Sequence, residues 1–337
     1  MPYITTPQVV QIYEVALQNS FPVIRKIIVL ASLSFLWYRV DERGSGMWRF
    51  IQFSDPHLGS QVHSTRNGRV ESALIPAMVA CLRHDVAELQ PDFLIVTGDI
   101  ARPDSRDAVF AARDLMDSLD VPYYPMGGSS DFRYEHSREW FVEAFGAHLP
   151  DCKTHYSFTH KDLHVCVLDP WWCWENGTLM PFGEDDVSPP RWVIPPDQFE
   201  WLEDDLRQHS EEATIIAVHP PSILPDPEVT RNKVLPRGGL ENARLLVEHL
   251  TAHEQVKLLL SGGVHAHYIA REAGLTQVVT GALTEYPVEF RDIHVHEDRL
   301  EVHTKGLSNA TYASQSMVHE KEWAKGADED RFAVIPL

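Results

Sequence analysis

The chain is poor in cysteine, in basic residues and in long apolar runs, and each shortage excludes something. Its 337 residues include only four cysteines, Cys81, Cys152, Cys166 and Cys173. No two of them make a C-x-x-C pair or a zinc spacing, so they read as reduced, mostly buried thiols of an intracellular protein rather than a disulfide or zinc framework. Lysine and arginine number 29 against 49 acidic residues, a formal net charge of −20. Such a surface repels phosphate backbones, which excludes a general nucleic-acid binder but not a small anion held at a local cation. No apolar run reaches the ~20 residues of a membrane span. The nearest approach, Ile27–Tyr38, follows Arg25 and Lys26 in the basic-then-apolar order of a signal peptide, without a small-x-small cleavage site after it. A membrane anchor is the alternative reading of that segment. Internal repeats and low-complexity tracts are also missing.

What is present is an ordinary globular composition, 44% hydrophobic and 23% charged, long enough to bury a sizeable core. Histidine departs from it: 18 residues are many for this length and favour metal chemistry. Residues 1–46 differ from the rest of the chain and end in the polar break Asp41–Gly46. They read as a non-core extension, translated from an upstream start or serving as a weak membrane or signal segment. From Met47 to about residue 305, strand-like and helix-like runs alternate. Strands are expected over Trp48–Ser54, Phe93–Thr97, Val121–Met126, His155–Thr159, Leu163–Leu168, Thr214–Val218 and Val256–Leu260. Helices are expected over Arg69–Gln90, Asp104–Leu119, Ser137–Phe145, Gln198–Gln208 and Leu240–His253. Pro76 marks a kink or a later start in the first helix. Residues 277–304 read as an antiparallel meander, with His294, His296 and His303 as strand-face residues rather than ligands. Residues 306–337 read as a peripheral tail. The alternation predicts an α/β core with a mixed sheet.

Ligands of such sheets bind at the carboxyl ends of the strands. The first apolar run ends in Asp55 and His57, two residues apart and therefore on one side of an extended chain. A hard oxygen and a borderline nitrogen at one point suit a divalent transition metal. Asp99, His219 and His265 also fall just after apolar strands. Each has a plain alternative: Asp99 as a helix cap, His219 as a turn residue before Pro220–Pro221, His265 as a loop residue. Five ligand-type residues in the same structural position point jointly to a metal site. Mn, Fe and Zn all suit two carboxylates and two imidazoles. The proline-rich stretch around Trp171, Trp172 and Trp174 reads as a loop that either walls the pocket or is pinned to the surface by its aromatics.

Taken in order, Asp55–Pro56–His57, Gly98–Asp99, the glycine-rich turn ending in Asp131, His219–Pro220–Pro221 and Ser261–Gly262–Gly263–Val264–His265 resemble the calcineurin-like metallophosphoesterases over about Met47 to Thr304. Asp197–Leu202 is similar to the Q-x-x-W-L helix of the branch that includes class III cyclic-nucleotide phosphodiesterases. The resemblance implies a four-layer α/β/β/α sandwich with two facing mixed sheets. It also implies a two-metal site that hydrolyses phosphomonoesters or phosphodiesters, two cations offsetting the ester's charge and acidifying a shared water. Asp99 takes the bridging role, Asp55, His57 and His265 complete the first site, and His219 belongs to the second. The chain departs from the family pattern in that second half. Where the family reads G-N-H-D, this chain reads Gly128–Ser129–Ser130–Asp131, so Ser129 replaces an amide ligand and Ser130 the acid histidine. Where the family reads G-H-x-H, Gly263 replaces the first histidine, and His267 is the candidate substitute. Fewer ligands weaken the second cation, and loss of the acid histidine removes about 10²–10⁴-fold in rate. The expectation is a cytoplasmic, metal-dependent phosphoesterase-like hydrolase of reduced activity, with Asp99, Asp55 and His57 as its catalytic residues. It would hold one ion tightly and act on a small phosphate-bearing ligand. The alternative is a pseudoenzyme that binds a metal, a phosphate ligand or a protein partner without turnover.

Overall fold

Strands that are apolar on both faces must be covered on both sides. The computed structural model, which describes residues 47–59, 68–101, 105–134, 136–182, 191–225 and 239–337, shows how this chain does so. The N-terminal extension and its leader or anchor readings lie outside the described residues. In chain order the first strands are β1 (Trp48–Phe53), β2 (Leu94–Thr97), β3 (Tyr123–Met126), β4 (Tyr156–His160) and β5 (Leu163–Val167). There follow β6 (Trp172–Glu175), β7 (Thr178–Pro181), β8 (Arg191–Trp192), β9 (Ala213–Ala217), β10 (Gly239–Leu240) and β11 (Val256–Ser261). The last are β12 (Tyr268–Glu272), β13 (Leu275–Val279), β14 (Glu289–Val295), β15 (Arg299–Gly306) and β16 (Phe332–Pro336). The helices are α1 (Ile75–Leu89), α2 (Arg106–Asp117), α3 (Ser137–Phe145), α4 (Pro196–Gln208), α5 (Ala243–Thr251) and the short α6 (Thr311–Ser316).

Two six-stranded mixed sheets result. The first runs β16-β15-β14-β1-β2-β3, parallel from β1 to β3 and antiparallel from β1 out to β16. The second runs β12-β13-β11-β9-β5-β4, parallel in the middle with antiparallel edges. Period-two alternation divides the residues of the second sheet between two cores. Val165, Val167, Ile215, Ala217, Leu258 and Leu260 join Phe50 of β1 in a core between the sheets. Their neighbours Cys166, Ile216 and Leu259 face the other way, against Leu202 and Leu206 of α4 and Leu246 and Leu250 of α5. Helices α1 and α2 cover the far face of the first sheet through Met78, Leu82, Val109 and Met116. The architecture is therefore a four-layer α/β/β/α sandwich with two facing mixed sheets.

The buried amide of Gln52 joins the two sheets directly below the strand ends. It donates to Thr97 Oγ1 (3.0 Å) and to the Ser261 carbonyl (3.1 Å), and accepts from Thr280 Oγ1 (2.8 Å). Full satisfaction of a buried amide fixes the relative slide of two strand ends that carry candidate ligands.

Several elements differ from expectation. The first helix starts at Ile75, because Pro76 takes the first-turn position where its missing N–H costs nothing. The tryptophan-rich stretch is a hairpin, β6–β7, turning at Asn176 (φ +47°) and Gly177 (φ +80°), an Asn-Gly turn of the kind that favours two-residue hairpins. Residues beyond 306 are not a peripheral tail: β16 pairs with β15, burying Ala333 and Ile335 and exposing Phe332 and Val334. Among the described residues no helix is long and apolar enough to cross a membrane.

Candidate metal centre

Five strand-end residues meet where the two sheets face each other. Asp55 and His57 follow β1, Asp99 follows β2, His219 follows β9 and His265 follows β11. Ligating atoms of Asp55, His57, Asp99 and His265 all lie within 4.8 Å of one another. Asp55 Oδ1 is 3.1 Å from His265 Nε2, the two Nε2 atoms of His57 and His265 are 3.5 Å apart, and His57 Nε2 is 3.8 Å from Asp99 Oδ2. Ligand bonds of about 2.0–2.2 Å at tetrahedral or octahedral angles put neighbouring ligand atoms about 3.0–3.4 Å apart. The separations match or slightly exceed that, as an open cage would. Asp55 Oδ1 is fully buried and takes no hydrogen bond among the described residues, an arrangement that stays costly until a cation or donor faces it. The donor set therefore fits a divalent transition metal.

The backbone is bent to make the cage. Asp55 (φ +50°), His57 (+44°), Asp99 (+51°) and His265 (+53°) are all left-handed non-glycine residues. That region costs about 1–2 kcal/mol per residue, and four adjacent instances mark a functional site. Their convergence thus does not come from the extended geometry expected of Asp55 and His57; left-handed turns aim each side chain separately.

Supporting groups fix the orientation of Asp55, His265 and His219. Asp55 Oδ2 accepts from Ser54 Oγ (2.6 Å) and from the Gly263 amide (2.9 Å), leaving Oδ1 for the cage. His265 Nδ1 faces Glu285 Oε2 at 3.1 Å. A carboxylate only accepts, so Nδ1 carries a proton and Nε2 is the nitrogen that points at the cage, where it would offer its lone pair to a bound cation. Glu285 is itself buried between Arg69 Nε (2.5 Å) and Lys321 Nζ. His219 is held in the same way: its Nδ1 donates to the Thr97 carbonyl, directing Nε2 towards Asp55 Oδ1 and Asp99 Oδ1, each 3.7 Å away. Only glycine fits at 98, since a Cβ there would lie 2.2 Å from His219 Nδ1. Asp131 accepts backbone N–H bonds from Gly128 (2.7 Å), Ile100 (3.0 Å) and Ala101 (2.7 Å), which ties the turn carrying Ser129 and Ser130 to the loop after Asp99. Ser54 and Glu285 carry no metal-ligand spacing in the sequence, which is why sequence reasoning gave them no role, and Asp131 entered it only as the end of the glycine-rich turn.

Electrostatics follow from burial and pairing. Burial opposes ionisation of Asp55, but His219, His265 and His57 outweigh it and hold the carboxyl well below the usual range. Burial pushes His57 down to about 4. Burial would also lower His265, yet the carboxylates of Asp55 and Glu285 hold it up at about 10. Without a cation the cage thus keeps a proton on His265, and a metal would take that proton's place.

The second half of the site is built differently. Ser130 closes on Asp99, its amide bonding Oδ1 (2.8 Å) and its hydroxyl bonding Oδ2 (2.9 Å). A Cβ at Gly263 would lie 3.1 Å from His219 Nε2, so the side chain absent there is one that would have stood beside His219. Ser129 is half-buried in the same turn. His267 does not fill the gap. Its amide donates to the Ala324 carbonyl (2.8 Å), and its ring lies beside the Gly281 amide and Glu289 Oε2 (3.6 Å). The left-handed turn at His265 breaks the two-residue repeat on which the substitution depended. Trp171 is core, not wall: wholly buried, it donates from Nε1 to the Gly127 carbonyl (2.6 Å) and packs 5.5 Å from the His219 ring.

A family profile described as calcineurin-like phosphoesterase matches residues 49–267. The chain belongs to the calcineurin-like phosphoesterase family. Members of this family use divalent metals, and the candidate cage lies within the matched span. Among curated proteins, the chain is 24% identical over 266 residues to a probable cyclic nucleotide phosphodiesterase of Synechococcus sp., covering 77% of this chain and 92% of that protein. It is 24% identical over 221 residues to a probable glycerophosphodiester phosphodiesterase of Arcobacter nitrofigilis, covering 64% of this chain and 71% of that one. Among solved structures, a dimetal phosphatase from Danio rerio superposes with a TM-score of 0.61 at 15% identity, over 78% of this chain and 97% of that one, a likeness of fold.

Proposed function

We propose that this calcineurin-like phosphoesterase is a slow, metal-dependent phosphodiester hydrolase that holds one divalent cation tightly. Asp55, His57, Asp99 and His265 are its ligands. The observation that carries the reading is at Asp99: Ser130, standing where the family pattern has the acid histidine, bonds both of its oxygens, Oδ1 through the amide (2.8 Å) and Oδ2 through the hydroxyl (2.9 Å), while Oδ2 still lies 3.8 Å from His57 Nε2 of the cage. A cation in the cage would offset the negative charge of a phosphate ester and acidify a nearby water. The chain's own residues hold that centre. Ser54 and the Gly263 amide orient Asp55, Glu285 orients His265, and the Thr97 carbonyl turns His219 Nε2 inward. Ser130 offers a hydroxyl where proton donation to a leaving group needs an acid, and a serine hydroxyl stays protonated near neutral pH. The named activities of the curated relatives favour a small phosphodiester as ligand, and the free thiols of Cys81, Cys152 and Cys166 favour the cytoplasm. Hydrolysis of bis(p-nitrophenyl) phosphate with manganese or zinc supplied tests the reading: slow, metal-dependent turnover is expected, and brisk turnover contradicts it.

A second reading, ligand binding without turnover, is favoured by the bond from Ser130 Oγ to Asp99 Oδ2. It predicts that the metal-loaded protein binds inorganic phosphate while hydrolysis stays at background.

A further inference from the structure

Outside the cage, three more groups of histidine and carboxylate side chains among the described residues bring ligand-type atoms together. One is satisfied from within the protein, and in another, where His296 Nε2 is buried without a hydrogen bond among the described residues, cations crowd the carboxylates. Asp205 Oδ2 accepts from His164 Nε2 (2.7 Å), whose Nδ1 bonds Thr159, and the His209 ring stacks on it with Nδ1 on Glu212 (2.8 Å). On the β14–β15 face, Arg299 occupies Glu301 (2.8 Å), while Lys305 and Arg49 neutralise the neighbouring Asp292. The third group, where α4 meets the end of α5, is different.

We propose that Glu203, His249 and His253 form a peripheral site for a zinc-class divalent cation that clamps α4 to α5. His249 lies in the last turn of α5 and His253 follows four residues later, beyond the Ala252 cap. Residues four apart on a helical path share a face, so both imidazoles look towards α4. There Glu203 Oε2 lies 3.0 Å from His253 Nε2 and 3.6 Å from His249 Nε2. These are the separations that tetrahedral zinc–nitrogen and zinc–oxygen bonds require of neighbouring ligands, about 3.4 Å. Phe199, one turn before Glu203, meets the His249 ring edge-on at 5.7 Å and sets its orientation. His249 Nε2 is buried and takes no hydrogen bond among the described residues. The end of α5 adds the negative pole of a helix dipole. Arg207 engages only the other oxygen of Glu203 (3.1 Å), so Oε2 bonds the His253 ring alone (3.0 Å), a contact that a cation would replace. Two imidazoles and a carboxylate match zinc better than magnesium or calcium.

The site stands independently of the proposed hydrolase activity, and its test is metal counting on the full chain. Zn²⁺ is titrated near neutral pH into chelator-stripped wild type, His253→Ala and Glu203→Gln, with unfolding temperature as a second readout. Wild type is expected to take up one equivalent more than His253→Ala. Glu203→Gln, which keeps shape at a half-exposed position and so preserves the fold, should bind that equivalent at least about tenfold more weakly. Zinc should raise the unfolding temperature of wild type more than that of either variant. Equal stoichiometry and equal thermal shifts in all three overturn the site. Extra zinc taken up only at millimolar concentration, alike in all three, is adventitious binding and overturns it as well.

Discussion

The two halves of the candidate centre share Asp99 yet differ in what surrounds their ligands. On the cage side two ligands have partners that orient them, Ser54 and the Gly263 amide for Asp55 and Glu285 for His265, and all four ligands stand on left-handed residues, while His57 Nδ1 is buried without a hydrogen bond among the described residues. On the other side His219 is oriented through Thr97, and among the described residues the ligand-type atoms facing its Nε2 are the carboxylate oxygens of Asp55 and Asp99. On the proposed reading the second half keeps a scaffold without the family's ligands: the turn is tied by Asp131 and His219 packs close against Gly98. A pocket whose framework outlasts its chemistry can be refilled, and that makes the difference between the halves testable.

The change that most directly erases the difference is the triple variant Ser129→Asn, Ser130→His, Gly263→His. It should add a second metal equivalent and raise bis(p-nitrophenyl) phosphate turnover by about 10²–10⁴-fold, the usual worth of a positioned acid. Ser130→His alone should do little. Position 263 sits at φ +74°, a conformation that histidine tolerates at a cost, so the unfolding temperature should fall slightly as activity rises. A second equivalent without faster turnover would show that the halves differ in more than ligands and acid.

Sharpening the comparison from the cage side, Glu285→Gln keeps the shape but removes the charge that fixes the His265 tautomer. First-site metal affinity should drop about 10–100-fold, as for other partners of ligating histidines, measured by competition with a chromophoric chelator. An unchanged affinity would mean that the orienting shell is not what distinguishes the intact half.

The smallest effect is expected away from both halves, at Asp169. Burial opposes its ionisation, but Arg138 and Thr154 outweigh this and hold its pKa below the ordinary carboxylate value. A carboxylate depressed in the folded state stabilises the fold above its unfolded value of about 3.9 and loses that contribution as pH falls through the lower folded value. Asp169→Asn should flatten the acid limb of the stability curve below about pH 4 and leave metal affinity at neutral pH unchanged. A loss of metal affinity would tie the helix α3 region, where Arg138 resides, to the centre.

How much of this was legible in the sequence depended on distance along the chain. Ligands that sit at the ends of apolar strands announce themselves, because the strand is visible and the next polar residue follows it; Asp55, Asp99, His219 and His265 are of this kind. Residues that reach the site from irregular segments do not. Glu285 sits in a loop before β14, and its partner Lys321 comes from a stretch whose polar composition suggested a tail. The last strand, β16, was obscured by the same composition, although its alternation of buried and exposed residues is a strand signature. The offer of His267 failed because residue spacing presumes extended backbone, and His265 is not extended. The Asn176–Gly177 hairpin was legible in principle and was hidden by the surrounding prolines.

The central claim is that one half of the centre holds a cation and the other does not. It is tested most directly by counting tightly bound divalent metal in the His253→Ala protein, where the peripheral zinc site is removed from the count. The account predicts close to one equivalent per chain, lost on changing Asp55→Asn and untouched by His219→Ala. Two equivalents, or a single one that disappears with His219→Ala, would contradict it.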